Sequence, residues 1–354
     1  MRETEQVSIS NAEISFVVHG PVQSMPDRPQ DDGITARSIA SIREYFPGSP
    51  IICSTWRGQP VEGLGADVNV LSDDPGPTVC AFDRYDEPII RNLDRQAVSV
   101  RNGLARVNTR YAVKLRSDNI LNSSSLVQVY QKYLRPEVRH DKYAILNQRV
   151  LITNYWASEY LRGLKVPFFF CDFIHFGLAD DLAHLWDLPP FDDYGWDPAL
   201  SGTRQHLRYP WPQRCVEQII YSRLASRAGL CDEIAHKYDQ GENVGMTNQK
   251  VSDAVLVDNF IVADPDMLSL YVPERLRHKK NYKYYTFKRW EHLFASHHDG
   301  FDFDRVYAAR RSIIRFFSFI KTGIRTRLRL LFRKARWEIR HRHGRYKGDA
   351  GNLH

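Results

Sequence analysis

No stretch of this 354-residue chain approaches the roughly 18 consecutive apolar residues that a membrane-spanning helix needs. A helical integral membrane protein is therefore not expected. The opening residues Met1-Arg-Glu-Thr-Glu-Gln6 contain no apolar segment, so no secretory signal is expected either, and the chain reads as cytoplasmic. Cysteine is scarce and odd in number: Cys53, Cys80, Cys171, Cys215 and Cys231, with no pair at metal-ligand or redox spacing. Three of them sit in apolar or helix-like runs, which suits buried thiols in a reducing compartment, and no structural zinc site is expected. Internal repeats are absent as well.

What is present is ordinary for a folded body and unusual for the tail. Hydrophobic residues make up 43% and charged residues 26%, enough for one large catalytic domain or two small ones. The net charge is +7, but it is unevenly spread. Residues 304–354 hold 15 Lys and Arg against 3 Asp and Glu, a charge of +12, which leaves −5 on residues 1–303. A mildly acidic body with a strongly basic tail points to a tail that meets an anionic surface. Within it Ile313, Phe317, Ile320, Ile324, Leu328 and Leu331 recur every three or four residues between arginines, the pattern of a basic amphipathic helix, with Gly323 placed to kink it. Nucleic acid is the weaker partner class, because no reading motif or aromatic platform accompanies the charge.

Along the body, β-branched runs alternate with helical periodicity. Residues 14–18, 51–55, 67–71 and 111–115 read as strands. Helices are expected from Thr35, as cap, to about Phe46, and over 92–107. The later pattern is less regular: one or two strands over 143–153, a strand-like run over 166–176, helices over 179–186 and 213–228, a long loop over 187–212, and a late strand over 255–262. Alternation of this kind predicts an α/β fold with a largely parallel sheet, whose ligands bind at the carboxyl ends of the strands. Polar signals gather there: His19-Gly20-Pro21, Asp73-Asp74 and Lys114-Leu-Arg116-Ser117-Asp118. Lys114, Arg116 and Asp118 share one face of an extended segment. They suit a phosphate or a metal; equally, a strand ending in Ser-Asp-Asn is a common turn. His19-Gly20-Pro21 and Asp73-Asp74 also read as plain strand-ending turns, and Arg95 and Gln96 as a solvated helix face. Asp172 is costly within Phe168-Phe-Phe-Cys-Asp-Phe-Ile174 unless it is paired or at a site.

The ordered set of segments resembles a known family. Ile14-Ser-Phe-Val-Val-His-Gly-Pro-Val22 comes first, then Ser41-Ile-Arg-Glu-Tyr-Phe-Pro-Gly-Ser-Pro-Ile-Ile-Cys-Ser-Thr-Trp-Arg-Gly58. Ser72-Asp-Asp-Pro-Gly76, Asn92-Leu-Asp-Arg-Gln96 and Tyr111-Ala-Val-Lys-Leu-Arg-Ser-Asp118 follow, with looser echoes at Cys171-Asp-Phe-Ile-His-Phe-Gly177 and Glu217-Gln218. Together they are similar to the WavE-type lipopolysaccharide-synthesis family, glycosyltransferases of the GT-A architecture.

The resemblance implies a GT-A-like, Rossmann-type mostly parallel sheet flanked by helices, with the basic amphipathic helical tail appended. It implies a donor half over 1–122, an acceptor and catalytic half over 123–303, and a membrane-associating tail over 304–354. It implies a nucleotide-sugar donor held by His19, Gly20, Pro21, Asp73, Asp74, Arg95, Gln96, Lys114, Arg116 and Ser117. Arg116-Ser117-Asp118 stands where related enzymes carry two aspartates, so Asp118 alone remains for a divalent ion, Mn²⁺ or Mg²⁺, and Arg116 either pairs with the phosphate or orients Asp118. Asp172 is the first candidate for the base that activates the acceptor hydroxyl, and Glu217 the second. Each has a structural alternative: a buried carboxylate bonded to backbone, and an exposed helical one. The implied acceptor is a lipid-linked or oligosaccharide precursor of lipopolysaccharide, capsule or another surface glycan, at the cytoplasmic face of the membrane. The alternative is a non-catalytic membrane-associated assembly protein that keeps a degenerate sugar-nucleotide fold.

Overall fold

The computed structural model describes residues 9–23, 31–82, 88–191, 214–243, 246–277 and 282–342. Within them lies a seven-stranded sheet: β1 (Ile14–His19), β2 (Ile51–Trp56), β3 (Val68–Ser72), β4 (Tyr111–Arg116), β5 (Val150–Thr153), β6 (Ile174–Leu178) and β7 (Phe260–Ala263). The strand order is β7-β5-β6-β4-β1-β2-β3. β1 lies parallel to β2 and β4, β2 to β3, and β5 to β7, while β6 runs antiparallel to β4 and β5. Every residue of β1, β2, β5 and β7 is buried, which is why these strands are rich in apolar residues and lack a polar-apolar alternation, as in a sheet covered on both faces.

The helices are α1 (Ile34–Tyr45), α2 (Leu93–Leu104), α3 (Ser125–Tyr133), α4 (Ala179–Trp186), α5 (Val216–Arg227), α6 (Asn248–Asn259), α7 (Phe287–His297), α8 (Arg305–Ser318) and α9 (Ile324–Arg342). From β1 the chain passes through α1 to β2 and then to β3; the next sheet strand, β4, lands on the other side of β1. The carboxyl ends of β1 and β4 therefore flank a topological switch point, where open α/β sheets form their ligand crevice. The antiparallel β6 adds a second consequence. Ile174, its first residue, lies opposite Leu115, so the segment leading into β6 arrives at that same edge.

The elements differ from the sequence expectation where burial hides the period. The apolar stretch 255–262 divides: 255–259 end α6, and only Phe260–Ala263 form a strand. Every residue of α6 but Lys250 is buried, so the polar face that marks a helix is missing. The run 166–176 is strand only from Ile174, because Phe168 has a φ of +58° and turns the chain. Of 143–153, only 150–153 form a strand. Thr35 does not cap α1; Gly33 does, and the Thr35 hydroxyl accepts the Gln23 N–H at 2.9 Å instead. The long loop expected over 187–212 is described only to Phe191, and the rest lies outside the described residues.

The described part of the basic tail, to residue 342, is helical, and a π-helical turn, Phe319–Gly323, interrupts it at Gly323, the expected kink position. It is moored to the body rather than free. Arg311 reaches Glu159, a buried carboxylate that also accepts from Arg289 at 2.8 and 2.9 Å. Burial alone would raise the Glu159 carboxyl, but Arg289 and Arg311 outweigh it and lower it to about 2. The Thr326 hydroxyl donates to the Arg162 carbonyl at 3.0 Å. Gly163 joins the short antiparallel pair Tyr160–Leu161 and Leu164–Lys165, and a Cβ on it would stand 2.6 Å from the Gly323 nitrogen, so the approach of this hairpin to the tail needs glycine there.

Candidate functional site

Four groups of residues meet at the carboxyl edge of β1 and β4. The first is the β1 exit. Gly20 has a φ of +114°, and a Cβ on it would crowd the Ser117 hydroxyl at 3.1 Å. Ser117 closes the crevice floor: its N–H donates to the His19 carbonyl at 2.9 Å and its hydroxyl to the Pro21 carbonyl at 2.7 Å. His19 is buried, with Nδ1 3.5 Å from the Ser99 hydroxyl and Nε2 without a hydrogen-bond partner among the described residues. Burial, reinforced by the nearby Lys114 and Arg116, holds its pKa well below the usual imidazole range, so the ring is neutral.

The second segment is the end of β4. Arg116 donates to Asp118 through Nε at 2.9 Å and Nη2 at 3.0 Å and covers the Phe173 ring at 4.6 Å. Arg275, from the far end of the chain, donates to the same carboxylate at 3.0 Å. Asp118 is 1% exposed, while the side chains of Arg116 and Arg275 are 28% and 36% exposed. Burial would raise the Asp118 carboxyl, but the two guanidinium groups lower it below its ordinary value. Lys114 lies deeper. It is fully buried, donates to the Asp172 carbonyl and sits 4.7 Å from the centre of the Trp186 ring. Burial lowers its pKa to about 8, against the pull of Asp172.

Asp172 and Glu217 form the third group. Asp172 arrives just ahead of β6, is buried, and accepts from the Gln96 amide. Glu217 stands half-buried in the first turn of α5. Burial and then the negative charge of Asp172 push its pKa up to about 8, so Glu217 carries a proton at neutral pH. His175, two positions into β6, is a core histidine: Nδ1 accepts from Trp186 at 2.9 Å and Nε2 faces the Tyr221 hydroxyl at 2.8 Å.

The fourth segment is the first turn of α2, which bridges the centre to the rim. Gln96 reaches inward to Asp172; Arg95 reaches outward to Asp74 with two bonds of 2.7 and 2.6 Å. Asp73 pairs with Arg57 at 2.7 Å and is largely exposed. The structure thus gathers His19, Gly20, Pro21, Gln96, Lys114, Arg116, Ser117, Asp118, Asp172 and Glu217 around one edge, with Asp74 and Arg95 beside them and Asp73 outermost. Arg275 was missed in the sequence. It lies 157 residues from Asp118 in a segment with no periodic or motif signal, so only the fold brings it in.

A metal at Asp118 can be tested against this geometry. Both of its oxygens already accept from guanidinium nitrogens, and a divalent ion would sit against two fixed positive charges. As arranged, these residues do not fit a metal.

The family model described as WavE lipopolysaccharide synthesis matches residues 14–329. The chain belongs to the WavE family. The match spans the sheet, both candidate carboxylates and most of the moored tail of this WavE chain. It ties the protein to lipopolysaccharide synthesis. No curated protein matches the chain.

Proposed function

We propose that this WavE-family protein is a nucleotide-sugar-dependent glycosyltransferase of lipopolysaccharide or related surface-glycan synthesis. The observation that carries the reading is the convergence of Arg116, Arg275, Asp172 and Glu217 at the switch-point edge. Sugar transfer needs positive charge at the departing diphosphate and a base near the acceptor hydroxyl. The GT-A reading is supported by the parallel half-sheet with its crevice at β1 and β4 and by the antiparallel β6 that delivers Asp172. In this proposal Arg116 and Arg275 bind the diphosphate through charge-assisted hydrogen bonds, and Gly20 and Pro21 face the nucleoside. Arg95 and Asp74 border the nucleoside as well.

A second reading, a non-catalytic assembly protein on the same fold, draws on Arg116 standing in place of a first carboxylate. One experiment separates the two: thermal shift against a panel of UDP, GDP, CMP and dTDP sugars, with and without Mn²⁺. The enzyme reading expects one nucleotide class to raise the melting temperature by several degrees, because it binds only the folded state. It also expects the same rise without Mn²⁺. A flat panel in both conditions would favour the assembly protein.

We also propose that the tail meets an anionic membrane surface, which would bring the site to a lipid-linked acceptor. Ile313, Phe317 and Leu331 are 58%, 64% and 60% exposed on the helices that Arg311 and Thr326 moor to the body. Arginines flank this stripe, as anionic headgroups require. Phe317→Glu with Leu328→Glu is expected to weaken sedimentation with phosphatidylglycerol-containing vesicles by about tenfold or more. The melting temperature should not move, since both side chains are exposed. Unchanged vesicle binding would refute the docking role.

A further inference from the structure

We infer that His140, Asp258 and His298 form a site for a zinc-class divalent ion at the edge of the sheet opposite the crevice. The three come from distant parts of the chain. His140 lies in the loop between α3 and β5, Asp258 is the penultimate residue of α6, and His298 follows α7 directly. Their candidate ligand atoms all lie within 4.8 Å of one another. Asp258 Oδ2 stands 3.6 Å from His140 Nδ1, and Asp258 Oδ1 stands 3.3 Å from His298 Nε2. The two imidazoles stack with centres 4.7 Å apart and planes 16° from parallel. Tetrahedral zinc with bonds of about 2.0–2.1 Å separates its ligands by about 3.3–3.4 Å, close to the two carboxylate–imidazole spacings; the exposed His140 ring must turn out of the stack for both nitrogens to face one ion.

Two observations point to a ligand rather than to a plain ion pair. Asp258 and His298 are buried, yet Asp258 Oδ2 and His298 Nε2 have no well-formed hydrogen bond among the described residues. Buried polar atoms are nearly always satisfied, and two orphans side by side are what a cation would satisfy together. His140 is half exposed and gives the ion an entry path. The donor set of two imidazoles and one carboxylate selects Zn²⁺, Co²⁺ or Ni²⁺ over Mg²⁺ or Ca²⁺. Arg149 approaches Asp258 at 3.8 Å, but its hydrogen bonds go to the carbonyls of Val257, Leu134, Arg135 and Val138. Arg139 likewise donates to the Asp258 carbonyl at 2.8 Å and to the carbonyls of Asn147 and Leu146; of the carboxylate, Oδ1 accepts the His140 backbone N–H at 3.1 Å and Oδ2 is left to the imidazoles. Cysteine spacing gave no sign of such a site because no cysteine takes part.

The site would act as a latch. Asp258 stands just before β7, whose Phe260 pairs with Val150 at the start of β5, so the ion lies at the amino edge of the sheet. It would pin the 135–147 loop and the end of α7 to the end of α6, away from Asp118 and Asp172. The full-length protein is dialysed against EDTA and then titrated with ZnCl₂, CoCl₂ or MgCl₂. One equivalent of Zn²⁺ should raise the melting temperature by at least about 3 °C. Co²⁺ should give the visible bands of a tetrahedral site, and Mg²⁺ should do neither. His140→Ala, in a half-exposed loop, should keep the fold and weaken Zn²⁺ binding at least tenfold; His298→Ala should abolish the Co²⁺ bands. Equal Zn²⁺ responses in the wild type and His140→Ala, or no response in the wild type, would overturn the site.

Discussion

Asp118→Ala is expected to abolish sugar transfer and to cost the fold about 2–4 kcal/mol. Removing one partner of a buried ion pair strands the other charge, at about 3–5 kcal/mol when burial is complete. Arg116 and Arg275 keep part of their contact with water, which trims that figure. The loss of transfer has a separate cause. Without the carboxylate, neither guanidinium is held at the β4 edge, and the diphosphate loses both of its oriented donors. Arg275→Ala divides the two effects. Arg116 still satisfies Asp118, so the urea midpoint should stay near that of the wild type, while the Kd for the donor rises tenfold or more. The pH dependence has a definite sign. The folded Asp118 carboxyl is lowered below its ordinary value, so its contribution is complete above about pH 4 and is lost as acid protonates it below that. Urea denaturation between pH 2 and 7, with donor titration by calorimetry, reads all three quantities. Wild-type transfer rates in Asp118→Ala would remove the β4 edge from the site.

The strands that meet at the crevice were legible because each is a short β-branched run closed by a turn signal. Ile14-Ser-Phe-Val-Val18 and Tyr111-Ala-Val-Lys-Leu115 differ from their observed bounds by a single residue. α4, over residues 179–186, was read to the residue, since its apolar face and acidic first turn are both local signals. What failed was non-local. Val255-Leu-Val257 lies in a helix only because α6 is surrounded on all sides, and no pattern within the segment records that. Phe168-Phe-Phe170 fills the core from an irregular path set by a positive φ. The candidate site divides in the same way. Arg116 and Asp118 are two residues apart and were visible as one motif, whereas Arg275 and the contact of Gln96 with Asp172 depend on how the sheet is ordered. Lys114 shares its face with Arg116 as alternation requires, yet it points beneath the crevice and braces the backbone of Asp172. The strand period fixes the face but not the depth.

That brace leads to the second large effect. Asp172→Asn is expected to lower turnover by about 10²–10⁴-fold, the usual worth of a positioned base, with the Kd for the donor unchanged. The substitution keeps the shape of the side chain and an oxygen for Gln96, and Lys114 holds the carbonyl, which the change does not touch. Glu217→Gln should behave differently. Glu217 already carries a proton at pH 7, so its amide is a close mimic and turnover there should stay within a few-fold of wild type. The contrast appears in the pH profile. As pH rises through about 8, Glu217 ionises against Asp172 and adds negative charge to a site that must also receive the diphosphate. Wild-type activity should fall across that range, and Glu217→Gln should hold its rate. Stability follows the same proton. A carboxyl raised from 4.5 to about 8 favours the fold fully below about pH 4.5 and loses that contribution as pH rises to about 8. The slope is at most about 1.4 kcal/mol per pH unit. Glu217→Gln should flatten it and exceed the wild type in stability at pH 9. An Asp172→Asn enzyme with full turnover would end the base assignment. A wild-type profile flat through pH 8 would instead break the pairing of the two carboxyl groups, and the two outcomes are independent because one concerns the acceptor's proton and the other the proton that Glu217 keeps.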